Sequence, residues 1–132
     1  EKFKKIIKKN PNSKYAKDAK FKLEYLNNYL AKKEFEVGMY YLKNNAPSPA
    51  INRFSVVIKD FQGTSIIPQT LYRMYEAFEM LQLKDKSDQT YLILKYNFPK
   101  SKWTEEITNK KNNIIEEPSY LKKIMNKMIS IF

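Results

Sequence analysis

Residues 37–62, VGMYYLKNNAPSPAINRFSVVIKDFQ, return in altered form 37 positions later as residues 74–99, MYEAFEMLQLKDKSDQTYLILKYNFP. Val37, Gly38, Tyr41, Ala50, Phe54, Val57 and Gln62 correspond to Met74, Tyr75, Phe78, Ser87, Tyr91, Leu94 and Pro99. Inside each copy the apolar residues recur at steps of three and four, which is the period of a helix with one buried face. Ala50, Phe54, Val57 and Phe61 match Ser87, Tyr91, Leu94 and Phe98 step for step. Two short helices with one greasy face each cannot bury it alone and must stack on neighbours. The expected fold is all-α, a solenoid of antiparallel helix pairs. Such an array presents an extended surface for holding another protein.

Working outward, Asn10-Pro11-Asn12-Ser13 ends a first helix over residues 2–9 that carries Phe3, Ile6 and Ile7 on one side. Ser13 is a good N-cap for the next helix. Ala16, Ala19, Leu23, Leu26 and Leu30 then form a stripe, and neither Gly nor Pro occurs between Pro11 and Gly38. One long helix from about Ser13 to about Asn44 is expected, with a short break near Lys32-Lys33 as the alternative. A turn at Asn44–Pro49 precedes the helix that buries Ala50, Phe54, Val57, Ile58 and Phe61. Thr64 or Ser65 is expected to cap the following helix, with Pro68 in its first turn. That helix carries Leu71, Met74, Tyr75, Phe78 and Leu81. A turn at Leu83–Lys86 leads to the helix of Ser87, Tyr91, Leu94 and Phe98. Trp103, Ile107 and Ile114 indicate a further helix, and Pro118 opens a last one ending in Ile124, Met125, Met128, Ile129 and Phe132. Residues 1–9 thus end a preceding repeat, 13–62 form a lengthened repeat, 64–99 a second repeat, and 101–132 capping helices.

Composition removes whole classes of chemistry. The chain has no Cys and no His, and Gly38 and Gly63 are its only glycines. Thiol and imidazole catalysis, the usual zinc sites and glycine-rich phosphate loops are therefore absent. Glu105-Glu106 and Glu116-Glu117 are not an acid–base pair, because neighbours on a helix point about 100° apart. No catalytic residue, cofactor or metal site is expected, and the reading is non-enzymatic. No run approaches the roughly 18 apolar residues of a membrane span. The net charge of +11 is unevenly placed. Residues 1–33 carry +8, residues 34–99 balance seven cations against seven anions, and residues 100–132 carry +3. Of the 25 basic residues only Arg53 and Arg73 are arginine. Nucleic-acid readers lean on arginine's bidentate fork, so an acidic protein partner or a solvated face is favoured over nucleic acid or anionic lipid.

Gly38 at a close helix crossing, Tyr41 three residues on, Ala50 opening the second helix and Gln62 near its exit resemble the tetratricopeptide repeat. The second unit is degenerate, with Tyr75 at the small-residue position and Ser87 for Ala. A closer resemblance runs through Asn10-Pro11-Asn12-Ser13-Lys14-Tyr15-Ala16, then Tyr25-Leu26-Asn27-Asn28-Tyr29-Leu30-Ala31, Val37-Gly38-Met39-Tyr40-Tyr41, Ala50-Ile51-Asn52-Arg53 and Asn97-Phe98-Pro99-Lys100-Ser101-Lys102-Trp103. In this order they are similar to the BamD family, tetratricopeptide lipoproteins of the outer-membrane β-barrel assembly machine. The resemblance covers roughly residues 1–104 and includes a stretched third repeat.

It implies a periplasmic protein tethered to the outer membrane by an N-terminal lipid upstream of Glu1, together with the family's first repeats. It also implies that the C-terminal half docks the POTRA region of BamA, with the small lipoprotein BamE a further partner for the tail. Arg53 falls on the family's Asn-Arg position facing that domain, where a guanidinium suits a partner carboxylate. Asn52 beside it and Tyr40 are the other candidate partner-binding residues. Tyr41 is expected in the core, Trp103 as a plug between terminal helices, and Ile124–Phe132 as a cap on the array.

Overall fold

The computed structural model describes residues 12–111, together with Lys4, Lys8, Lys9, Lys123 and Lys127. Expectations for Phe3, Ile6 and Ile7, for Glu116-Glu117, and for the segment from Ile114 and Pro118 to Phe132 lie outside the described residues. Five helices follow one another: α1 (Lys14–Lys43), α2 (Pro47–Asp60), α3 (Ile67–Met80), α4 (Lys84–Asn97) and α5 (Lys102–Lys111). There is no strand among the described residues. Consecutive helices pack on each other, and α5 rests on both α3 and α4. The all-α stack of helix pairs is therefore observed, with α1 as its lengthened member.

Ser13 caps α1 as expected, its hydroxyl accepting from the Ala16 amide at 3.0 Å. The helix runs unbroken through Lys32-Lys33 for 30 residues, about 45 Å at 1.5 Å per residue. Ala31 and Phe35, on either side of the lysine pair, are both buried in the shared core. A break there would have to pull one of them out. The expected stripe on the N-terminal half is only partly buried. Ala16 and Ala19 are covered, but Leu26 and Leu30 stay 41% and 40% exposed. The reason is length: α2 has 14 residues and can flank only half of α1.

The 37-residue echo is kept in the backbone itself. In the first hairpin turn Ala46 N–H donates to Tyr41 O at 2.9 Å, and in the second Leu83 N–H donates to Phe78 O at 3.0 Å. Asn45 and Gln82, again 37 apart, each turn the chain at φ 59°. The exits repeat too: Phe61 N–H donates to Val57 O, and Phe98 N–H to Leu94 O. Three boundaries differ from the sequence reading. Both turns are shorter than expected, because Pro47 and Lys84 already begin helices. Proline tolerates the first helical turn, where no intrahelical bond needs its missing N–H. Helix α3 starts at Ile67 without a side-chain cap. The Thr64 hydroxyl instead donates back to Phe61 O at 2.7 Å, and the Ser65 amide donates to Asn28 Oδ1 on α1 at 3.2 Å.

One core runs through the stack. Phe54, Val57, Leu71, Leu94 and Ile107 are buried in it, with Tyr41, Met74, Phe98 and Trp103 packed at its margin. Gly38 earns its position by a close approach. A methyl group there would come within 2.6 Å of Phe54 Cδ1, and Phe54 is itself fully buried. In the second unit Tyr75 replaces that glycine and the packing changes. Lys111 of α5 places its Nζ 5.5 Å from both the Tyr75 and Tyr91 rings, and bonds Asp88 at 3.0 Å.

Candidate partner-binding surface

Asn52 and Arg53 sit on the solvent side of α2, about one helical turn before the buried Val57. Both are exposed. With Tyr41 of α1, and with Pro49 and Val56 of their own helix, they line an open hollow of about 380 Å³. Tyr41 is half-buried rather than wholly in the core, so one edge of its ring is available there. Tyr40 is 65% exposed and does not line the hollow. It reaches it only through Tyr41, against whose ring it stands edge-on at 5.7 Å. The structure thus brings Asn52 and Arg53 together and leaves Tyr40 beside them.

Arg53 is not idle in the free chain. Its Nη1 lies 3.3 Å from Glu34 Oε2, joining α2 to α1. The two side chains are 46% and 31% exposed, so the pair stabilises by no more than about 1 kcal/mol. A guanidinium carries five N–H donors, and one weak surface bond leaves several for a second carboxylate. The other arginine is built in differently. Arg73 pairs with Glu76 one turn along α3, and its guanidinium lies 5.2 Å from the Tyr72 ring and 5.6 Å from Trp103. Trp103 in turn packs at a tilt against Tyr72, with ring centroids 5.0 Å apart. Arg73 and Trp103 therefore fasten α5 to α3, in keeping with the expected plug.

A second hollow was not anticipated from the sequence. It measures about 250 Å³ and opens between α2 and α4 above α3. Five of its residues, Phe78, Lys86, Gln89, Thr90 and Ile93, are the positions 37 after Tyr41, Pro49, Asn52, Arg53 and Val56. Adding the repeat length to the first site's residues would have found it. Among the described residues no group of three Asp or Glu side chains converges to hold a metal ion. No described helix is long and apolar enough to cross a membrane.

The family model for an outer membrane lipoprotein, YfiO, matches residues 1–94. The chain belongs to the YfiO family. Its YfiO-type relatives include proteins named outer membrane protein assembly factor BamD. The protein of Rickettsia prowazekii is 44% identical over 101 residues, covering 76% of this chain and 40% of the relative. That of Caulobacter vibrioides is 39% identical over 98 residues, covering 74% and 32%. That of Neisseria gonorrhoeae is 33% identical over 99 residues, covering 75% and 37%. The chain spans about two fifths or less of the length of these relatives. YfiO membership places it at the periplasmic face of the outer membrane in a Gram-negative bacterium. The YfiO match includes Asn52, Arg53 and every residue lining the second hollow, and stops before α5.

Proposed function

We propose that this chain is a non-enzymatic docking portion of a β-barrel assembly factor, holding the periplasmic POTRA region of BamA for insertion of outer-membrane proteins. Three things support the reading: the family, the names of its relatives, and the hollow lined by Asn52 and Arg53. The single observation that carries it is the state of Arg53. It is half-exposed beside a concave surface and held only by a solvent-facing pair with Glu34. A partner carboxylate could replace Glu34 at little cost, because the two pairs would be nearly equal in strength. Asn52 would add an amide able both to donate and to accept. The mechanism is positional. Stacked helices fix the spacing of these groups, so the partner domain is held in one register. BamE is proposed as a further partner near the C-terminal end of the array.

The test is binding of the intact protein to the purified periplasmic domains of its own BamA. Arg53→Glu should weaken binding by more than about tenfold, as expected when a charge at a paired site is reversed, with unchanged helical circular dichroism. Glu34→Gln, which frees Arg53 without removing it, should leave affinity equal or higher. Unchanged affinity in Arg53→Glu removes this residue from the interface. Weakened binding in Glu34→Gln shows that the pair serves only to join α1 and α2.

A further inference from the structure

The second hollow has a chemistry of its own. Its floor and walls are Ile58 of α2, Leu71, Met74 and Phe78 of α3, and Ile93 of α4. It exists because α2 and α4 both pack on α3 but not on each other. Of its polar groups, the Thr90 hydroxyl is already spent on Lys86 O at 2.8 Å. A space of this size amounts to roughly eight waters, and those against the apolar floor of Leu71, Met74 and Phe78 find few hydrogen-bond partners there. An apolar group would displace them favourably. Lys59 and Lys86 also line the opening. Both are exposed, and neither ammonium is held in an ion pair among the described residues. This is a local feature, because residues 34–99 carry no net charge. A volume of 250 Å³ suits one projecting side chain rather than a flat protein face.

We infer that the hollow between α2 and α4 docks a linear acidic segment of a partner protein, seating one large apolar side chain on Leu71, Met74 and Phe78 while flanking carboxylates meet Lys59 and Lys86. The apolar anchor supplies affinity and the two lysines supply charge selection. The site does not depend on the BamA reading, since it shares no residue with the Arg53 hollow. By repeat symmetry it faces the same side of the array, one unit further along.

The experiment uses capped pentapeptides of the form Asp-Asp-X-Asp-Asp, with X as Phe, Leu, Trp or Ser, and a Lys-Lys-Phe-Lys-Lys control. They are titrated into the full chain labelled at Ile and Met methyl groups. The Phe, Leu or Trp peptides should shift the Ile58, Met74 and Ile93 signals saturably. The serine peptide and the lysine control should bind on the order of tenfold more weakly or not at all. The double variant Lys59→Glu/Lys86→Glu changes only exposed, unpaired groups and so keeps the fold. It should weaken the acidic peptides by a similar factor, while Arg53→Glu should not. The proposal is overturned if none of the three apolar peptides gives saturable shifts up to about 1 mM. It is equally overturned if the lysine control binds as well, or if the lysine variant binds unchanged.

Discussion

At Gly38 two residue-level effects oppose each other, and their sizes decide the outcome. Alanine is favoured over glycine in a helix interior by about 1 kcal/mol. Forcing a methyl into a filled core costs about 1–3 kcal/mol, and here it would meet the buried Phe54 ring. Gly38→Ala should therefore lose stability, by up to about 2 kcal/mol in urea unfolding, and a gain would mean that Phe54 has room to move. Tyr75 offers a different test. Burial first, and then its hydrogen bond to Glu79, push its phenol well above the ordinary 10.0. Because the folded state holds this proton more tightly than the unfolded state, stability is intact below about pH 10 and falls as pH rises further. Above pH 10 the melting temperature of the parent should drop more steeply than that of Tyr75→Phe. Parallel curves would show that the phenol does not contribute to the alkaline loss.

At the scale of elements, the two hairpin turns repeat the same backbone with different chemistry. Asn45 and Gln82 both adopt φ 59°, a conformation that asparagine tolerates and glutamine does not favour. A left-handed residue with a side chain costs about 1–2 kcal/mol, whereas glycine's extra freedom in the unfolded chain costs about 0.5–1 kcal/mol. Gln82→Gly should thus raise stability by up to about 1 kcal/mol, and Asn45→Gly should gain less, as chemical denaturation can show. Equal effects at both turns would contradict this account. Helix α1 illustrates the converse. Its continuity follows from an unbroken run of helix-compatible residues anchored by Ala31 and Phe35. Its coverage follows from the shorter helix beside it.

At the scale of the molecule, charge and shape point to different partners. The net +11 is concentrated in residues 1–33, while the two hollows lie in the charge-balanced middle. Any association with duplex DNA should be a counterion effect, so raising salt from about 50 to 200 mM should abolish it. Affinity that persists at the higher salt would favour a nucleic-acid role over protein docking. The two hollows are one device used twice. The first is lined by Tyr41, Asn52 and Arg53 among others, whereas the second is dominated by Ile58, Leu71, Met74, Phe78 and Ile93. Divergence between copies has made one polar and the other apolar.

Much of this was legible from residue order alone. Periodicity and the 37-residue echo are local properties, and among the described residues they specified helices and turns to within a few residues. The errors at Thr64 and Pro47 arose because turn hydroxyls and prolines can serve either side of a helix start, and at Lys84 because the helix begins without a side-chain cap to mark it. Arg53 and Asn52 were singled out through a resemblance carried by their own segment, and what the structure adds is that both are exposed and line one hollow. The pairing of Arg53 with Glu34, 19 positions away, and the opposite fates of the two arginines were not visible. Those depend on which faces meet when helices stack. The apolar hollow is the clearest case. Its residues read as ordinary core stripes, and only the gap between α2 and α4, a consequence of both leaning on α3, leaves them uncovered.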